Sequence, residues 1–379
     1  MSETPFIFGK LAEGLEFTDR EAETAHLVQN FNSLTNTILI SPRRWGKSSL
    51  VLKASELARK KNKNIRFCFI DLYNVKSDEE FYNLLAMEVL KASSTKIEEI
   101  ASLAAKFLKQ IIPRISINPE AGSDISLGFE WRQLKKHPIE IINLAEEIAR
   151  EKNLKFIICI DEFQNIGFFE DPLQLQKKLR ANWQRHKHVS YCLFGSKRHM
   201  MMDVFASPSM PFYKFGDLIF LEKISSENWV SFILRRFTEN KKTITEETAA
   251  LIAEKCENHP FYVQQLAQLS WLRTSKKCTS AIVEQALDSL LHQLSLLFQT
   301  ITENLSPTQI NLMKAIVNEE QQLSAQETLY QYQLGTSANV AKSRNALINK
   351  EIIDVIGKEV FILDPIYKLW LKTYYFKGK

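Results

Sequence analysis

The sequence predicts an α/β protein: a five-stranded, mostly parallel sheet, then an all-helical segment, then a winged helix. Three observations carry this. Five short apolar runs, rich in β-branched and aromatic residues, occupy Thr37–Ile40, Ile65–Leu72, Lys155–Ile160, Val189–Phe194 and Leu218–Leu221. Long helical patterns such as Ser48–Lys61 and Glu79–Lys109 separate most of them, the alternation of βαβ units. From Ser225 to about Asn304 the strand signal stops and apolar residues recur at i, i+3, i+4 and i+7. The five runs are apolar throughout, so each strand is expected to be covered on both faces.

The first strand leads into Ser41-Pro-Arg-Arg-Trp-Gly-Lys-Ser-Ser and then Leu50-Val-Leu-Lys-Ala. Strand, tight loop and helix in that order form a phosphate-binding loop. In the loop lined by Pro42, Arg43, Arg44, Trp45, Gly46 and Ser49, the backbone N–H groups around Gly46 and the positive end of the following helix would cradle phosphate oxygens. Lys47 would reach the β/γ-phosphates and the Ser48 hydroxyl would ligate Mg²⁺. The first position is Ser41 where the usual pattern has Gly; serine follows the same path if its φ is negative. The competing reading is a chance Gly-Lys-Ser at a helix start.

The third strand ends in Asp161-Glu162. Open parallel sheets bind ligands at the carboxyl edge of their strands. Asp161 would hold Mg²⁺ with Ser48, and Glu162 would polarise a water in line with the γ-phosphate. An acidic pair capping a neighbouring helix is the alternative. The fourth strand ends in Gly195-Ser196, where Ser196 would touch the γ-phosphate or the attacking water; an ordinary turn is the alternative. In nucleotide hydrolases with a catalytic Glu after the acidic strand, this fourth strand inserts between the loop strand and the acidic strand. That predicts a sheet order of 5-1-4-3-2.

One segment breaks the alternation. Ile115 to Leu127 reads as a β-hairpin with Pro119 and Gly122 in its turn, inserted at about 111–130, as a contact arm or a surface decoration. Helical patterns follow at 226–239, 246–257, 260–274 and 280–303. The last part reads helix (307–318), helix (325–332), helix (338–349), a hairpin around Gly357, and a helix opened by Asp364 as N-cap with Pro365 at N1. Ser324 and Glu327 suggest a capping box for the second of these helices. Three helices and a hairpin are the order of a winged helix-turn-helix. The expected organisation is a core at 1–224, a helical lid at 225–304 and a winged helix at 305–379.

These segments resemble the archaeal-type ATPase group of P-loop proteins, related to the signal-transducing ATPases with numerous domains and to origin-recognition AAA+ ATPases. Phe17-Thr-Asp-Arg-Glu-Ala-Glu is similar to that group's Phe-x-Gly-Arg-Glu-x-Glu segment, with Asp19 in place of Gly. Pro42-Arg-Arg-Trp-Gly-Lys-Ser-Ser-Leu is similar to its loop. Pro211-Phe-Tyr-Lys-Phe-Gly is similar to a segment that often ends in Arg, where this chain has Lys214. Asn258-His-Pro-Phe is similar to the lid's Gly-x-Pro motif, and Asp364-Pro-Ile-Tyr-Lys-Leu-Trp to its closing helix. The resemblance implies a P-loop NTPase core with ATP and Mg²⁺ as ligands and places Phe17, Arg20 and Pro260 near the nucleotide; the expected function is a slow ATPase switch, with a DNA-binding regulator or a nucleotide-binding scaffold without turnover as the alternatives. Arg20 with Glu21 could instead begin a surface helix, and Pro260 could be only a helix N1 proline. Met200-Met-Met is expected in the core, as is the stripe Trp370, Tyr374 and Tyr375.

The composition fits this class. A chain of 379 residues implies two or three domains, and 45% hydrophobic with 25% charged residues is typical of a soluble globular protein. No apolar run approaches a bilayer span and Met1-Ser-Glu-Thr-Pro lacks a signal pattern, so the expected location is the cytoplasm, with no membrane partner. The net charge of +5 is mild; it permits nucleic-acid contact without arguing for it. Residues 306–379 carry nine Lys/Arg against seven Asp/Glu, with Lys342, Arg344 and Lys350 on or after the third helix. The winged helix could therefore bind DNA or a protein partner, and the chain could be a monomer or a nucleotide-dependent oligomer. Cys68, Cys159, Cys192, Cys256 and Cys278 are scattered, as reduced core thiols are. His186 and His188 are expected to be solvated and not metal ligands.

Overall fold

The computed structural model describes residues 4–12, 14, 17–108, 137–377 and, for their backbone, 113–117 and 125–129. Strands β1 (Thr37–Ile40), β2 (Ile65–Asp71), β5 (Lys155–Asp161), β6 (Val189–Gly195) and β7 (Asp217–Phe220) form one sheet in the order β2-β5-β6-β1-β7. Every pairing is parallel. Numbered among themselves, these strands run 5-1-4-3-2, as the sequence predicts.

Helices α1 (Glu21–Ser33), α2 (Lys47–Lys61), α3 (Asp78–Ser93), α4 (Ile97–Phe107), α5 (Pro138–Lys152), α6 (Pro172–Trp183) and α7 (Arg198–Phe205) accompany the sheet. The central strands are sealed: every residue of β1 and β6 is buried, and all of β5 but its two ends. The edge strand β7 departs from the expectation. Leu218 and Phe220 are exposed while Ile219 and Leu221 are buried, so this strand is covered on one face only. A predicted single helix over 79–109 is two, broken at Ser94–Lys96. Hydroxyls cause the break by bonding locally. Ser93 Oγ donates to Val89 O at 2.6 Å, and Ser94 Oγ accepts from Lys96 N at 3.0 Å. The inserted hairpin pairs β3 (Pro113–Ile117) with β4 (Ile125–Phe129) antiparallel, Ile115 opposite Leu127. Its predicted turn residues Pro119 and Gly122 lie outside the described residues.

The chain divides into two compact units: Arg20–Glu222, and the residues before it together with those from Lys223 onward. The second unit contains α8 (Ser226–Glu239), α9 (Glu246–Lys255), α10 (Pro260–Arg273), α11 (Ser280–Glu303), α12 (Pro307–Val317), α13 (Gln326–Gln331) and α14 (Ser337–Asn349), then β8 (Ile353–Ile356), β9 (Glu359–Ile362) and α15 (Pro365–Trp370). One continuous apolar core runs through it, from Trp229 and Phe232 to Leu347 and Trp370. Phe6 is buried in that core, edge-on to Phe232.

Several local expectations are corrected. Helix α13 starts at Gln326, with Ala325 as N-cap and no side-chain cap. Ser324 falls inside the preceding Gln322–Ala325 turn instead. The capping box sits at Ser306 and Gln309, at the start of α12. Tyr374 is exposed while Trp370 is buried, because the chain widens to a π-turn over Leu371–Tyr375, which rotates the stripe. His186 bonds Tyr191 Oη and Asn143 Oδ1 and is half-buried rather than solvated, whereas His188 bonds Glu146 with its side chain still 38% exposed. Met201 and all five cysteines are buried, as expected, and the thiols are free. Among the described residues no helix is long and apolar enough to cross a membrane.

Two packing contacts give tests. A Cβ on Gly216 would stand 2.3 Å from the carbonyl oxygen of Asn36, the same oxygen that accepts from Asp217 N at 2.8 Å to seat β7. Backbone cannot yield there, so Gly216→Ala is expected to cost about 1–3 kcal/mol, read as a lower urea midpoint. Asp364 caps α15 through Ile366 N at 3.0 Å and Tyr367 N at 2.9 Å, and accepts from the Tyr262 hydroxyl. Asp364→Ala is expected to lose about 1–3 kcal/mol and Asp364→Asn clearly less. Equal urea midpoints for the wild type and either Ala variant would refute the corresponding contact.

Candidate functional site

The loop between β1 and α2 carries the predicted phosphate-binding residues. Ser41 is buried, keeps a negative φ and donates its N–H to Gly195 O at 3.4 Å. Serine thus follows the path that the usual glycine takes. Arg44 (φ 64°) and Gly46 (φ 89°) are left-handed, which turns successive N–H groups toward one side, as anion-binding nests require. Gly46 is the N-cap of α2 and provides no side chain to cap it. The helix dipole favours an anion at this end of α2. Pro42 and Trp45 are partly buried, Arg43 and Arg44 exposed, and Ser49 buried in the first turn.

Lys47 is 6% exposed, an uncommon state for an ammonium. Its Nζ lies 3.9 Å from Glu162 Oε1. Ser48 Oγ donates to Asp161 Oδ2 at 2.8 Å. The residue after Asp161 turns left-handed, Glu162 having φ 51°, and Glu162 N donates to Asp161 Oδ1 at 2.8 Å. Burial pushes the Asp161 carboxyl above the usual carboxylate range, although Lys47 and the Ser48 bond oppose it. Burial acts the same way on Glu162. There Lys47, Gln164 and Ser196 together outweigh it and hold the carboxyl below its ordinary value. The two carboxylates thus differ in basicity because their partners differ.

Ser196 is buried at the tip of β6. Its Oγ donates to Glu162 Oε2 at 2.8 Å, and its N–H reaches the same oxygen at 3.4 Å. The strand order therefore brings together Lys47, Ser48, Asp161, Glu162 and Ser196. An oxygen pair of Ser hydroxyl and Asp carboxylate is the donor set a hard cation such as Mg²⁺ takes.

The other predicted residues have these local settings. Arg20 is a buried, left-handed N-cap of α1; its guanidinium donates to Glu222 O at 2.6 Å and to Glu23 Oε1 at 3.0 Å. It opens that helix, and its guanidinium contacts stay within the α/β unit. Phe17 and Pro260 belong to the other unit, with Pro260 at N1 of α10. Lys214 is exposed, with its Nζ 5.3 Å from the Tyr213 ring. One participant was missed by sequence reasoning. Gln164, fully buried in the 3₁₀ turn Phe163–Phe168, donates its Nε2 to Glu162 Oε2. The available signal was a glutamine two places after the acidic pair, between Phe163 and Ile166.

Comparisons with known proteins bear on the fold. A family model described as a probable winged helix domain matches residues 296–373. We find no match to the sequence among curated proteins. Among solved structures the chain is similar to a Walker-type ATPase of Pyrococcus abyssi, at TM-score 0.67 and 19% identity over 97% of this chain and 99% of that one. It is also similar to the ADP form of the ORC2 protein of Aeropyrum pernix, at TM-score 0.54 and 12% identity over 93% and 92%. A third similarity is to the Aeropyrum pernix ORC1 protein in complex with DNA, at TM-score 0.50 and 11% identity over 94% and 93%. The chain thus has the fold of these archaeal Walker-type and ORC proteins: a P-loop core on a five-stranded parallel sheet, with a winged helix at its C-terminal end.

Proposed function

We propose that this chain binds ATP and hydrolyses it with Mg²⁺, and that it works as a nucleotide-driven conformational switch in the cytoplasm. One observation carries the reading. Ser48 Oγ and Asp161 Oδ2 meet at 2.8 Å beside a buried Lys47 and a Glu162 held by Ser196. Phosphoryl transfer asks the protein mainly for positioning and charge neutralisation, and these residues provide both.

In this reading Ser41 and Pro42 shape the loop, the backbone N–H groups from Arg43 to Ser49 hold phosphate oxygens, and Lys47 supplies positive charge at the β/γ-phosphates. Ser48 and Asp161 hold Mg²⁺, which supplies charge neutralisation on the phosphate oxygens. Glu162 accepts a proton from the attacking water. Its depressed pKa keeps it ionised at neutral pH. Ser196 orients Glu162 and stands ready to report on the γ-phosphate. Roles for Phe17, Arg20 and Pro260 at the nucleotide rest on the sequence resemblance alone. Lys214 takes the place of a frequent arginine, which leaves turnover slow until a partner adds a cation. Residues 225–304 and 305–379 are the lid and winged helix that would respond to the nucleotide.

A second reading has one observation in its favour. The winged-helix match and the likeness to an ORC1 protein solved with DNA make DNA a candidate partner for α14, where Lys342 is exposed. Lys350 donates to Asn304 O at 2.7 Å, and residues 306–379 carry only two more basic than acidic side chains, a weak charge for a DNA reader. A protein partner suits that balance better.

Phosphate release with ATP and Mg²⁺, measured alone and with added DNA, tests both. Lys47→Ala is expected to abolish nucleotide binding. Glu162→Gln is expected to keep binding and slow turnover by about 10²–10⁴-fold. Undiminished turnover in Glu162→Gln would remove it from the base role, and no DNA affinity at low salt would end the DNA reading.

A further inference from the structure

Gln164 is a buried polar side chain that packing does not require. It has no exposed surface, and its neighbours Phe163 and Ile166 fill the same core with apolar groups. A methionine of similar volume would fill the space without desolvating an amide. The amide is also only half paired. Nε2 donates to Glu162 Oε2, whereas Oε1 is buried with no donor. An unpaired buried acceptor raises the free energy of the folded state, so its retention calls for a reason. The amide cannot turn over to find one. That would press Oε1 against the Glu162 carboxylate, acceptor against acceptor.

The fold makes room for this arrangement at a neighbouring strand. A Cβ on Gly195 would lie 1.9 Å from Gln164 Oε1 and 2.8 Å from Met201 Sδ. Gly195 does not adopt a positive φ, so the glycine supplies space and not a turn. Gln164 and Ser196 moreover hold the same atom. Ser196 Oγ donates to Glu162 Oε2 at 2.8 Å, and Oε1 is left facing Lys47 Nζ at 3.9 Å.

We propose that Gln164 is a positioning residue for hydrolysis: with Ser196 it clamps Oε2 of Glu162, so that Oε1 alone is presented to the attacking water. An oxygen occupied by such donors accepts a further proton poorly, so the clamp also decides which atom is the base. Glu162 sits in a left-handed backbone conformation that costs free energy for a residue with a Cβ, and the clamp holds the carboxylate that this backbone aims. Gly195 is part of the same device. The inference rests on the ATPase reading above.

Gln164→Met tests it. The expected result is a melting temperature unchanged or raised, ATP affinity within about threefold of wild type, and a kcat lower by roughly 10- to 100-fold. The crystal structure of the variant should show the Glu162 carboxylate moved off Ser196. Gly195→Ala, which displaces the amide, should lower kcat in the same range. An unchanged kcat in Gln164→Met overturns the proposal. So does a joint fall of melting temperature, affinity and kcat, which marks a purely structural glutamine, or a Glu162 that stays in place in the variant crystal. Failure of the ATPase reading looks different: the wild type itself releases no phosphate, and the position of Glu162 in the two crystals then decides the clamp by itself.

Discussion

The site depends on the parallel register of the sheet. β1 pairs with β6 so that Ile40 lies opposite Gly195, and β6 pairs with β5 so that Leu193 lies opposite Ile160. Parallel strands end on the same edge. The loop after Ile40, the acidic pair after Ile160 and Ser196 after Gly195 therefore emerge side by side, although up to 155 residues separate them. The apolar filling of β1, β5 and β6 makes this register rigid. A slip by one residue would turn each strand's side chains to the opposite face, and both faces are packed.

Within that frame the polar groups are arranged against their desolvation cost. Lys47 is almost fully buried and lies beside two carboxylates, which is how a buried ammonium stays charged. The carboxylates are in turn bonded to Ser48, Ser196 and Gln164. Three neighbouring positions, Arg44, Gly46 and Glu162, take left-handed backbone conformations. Buried charge and hydroxyls gathered at the edge of an apolar core are the pattern of a site kept for chemistry rather than for stability.

The ends of the α/β unit are tied to each other. The Arg20 guanidinium reaches the carbonyl of Glu222, the last residue of that unit. The residues before Arg20 belong to the helical unit, where Phe6 packs against Phe232 and Phe237, and Pro5 O accepts from Arg236 Nε at 2.6 Å. The chain's first segment is thus an integral part of the helical core, a relation between positions more than 200 apart that no local pattern announces.

How much was legible followed from the range of the interactions. The phosphate loop, the five strands and the acidic pair are local patterns, set by apolar period, glycine placement and residues adjacent in sequence, and they could be read along the chain. Sheet order was legible too, because an acidic strand followed by Glu162 restricts where the next strand inserts. The break in the helix at Ser94, the start of α13 after Ala325 and the outward turn of Tyr374 were not, because each depends on hydrogen bonds that compete with helical ones over a few residues. Only tertiary packing could decide which oxygen of Glu162 is held, why residue 195 has no side chain, and that Arg20 serves the frame. Those facts are distances between segments brought together by the sheet, and a sequence records the neighbours of a residue along the chain, not across it.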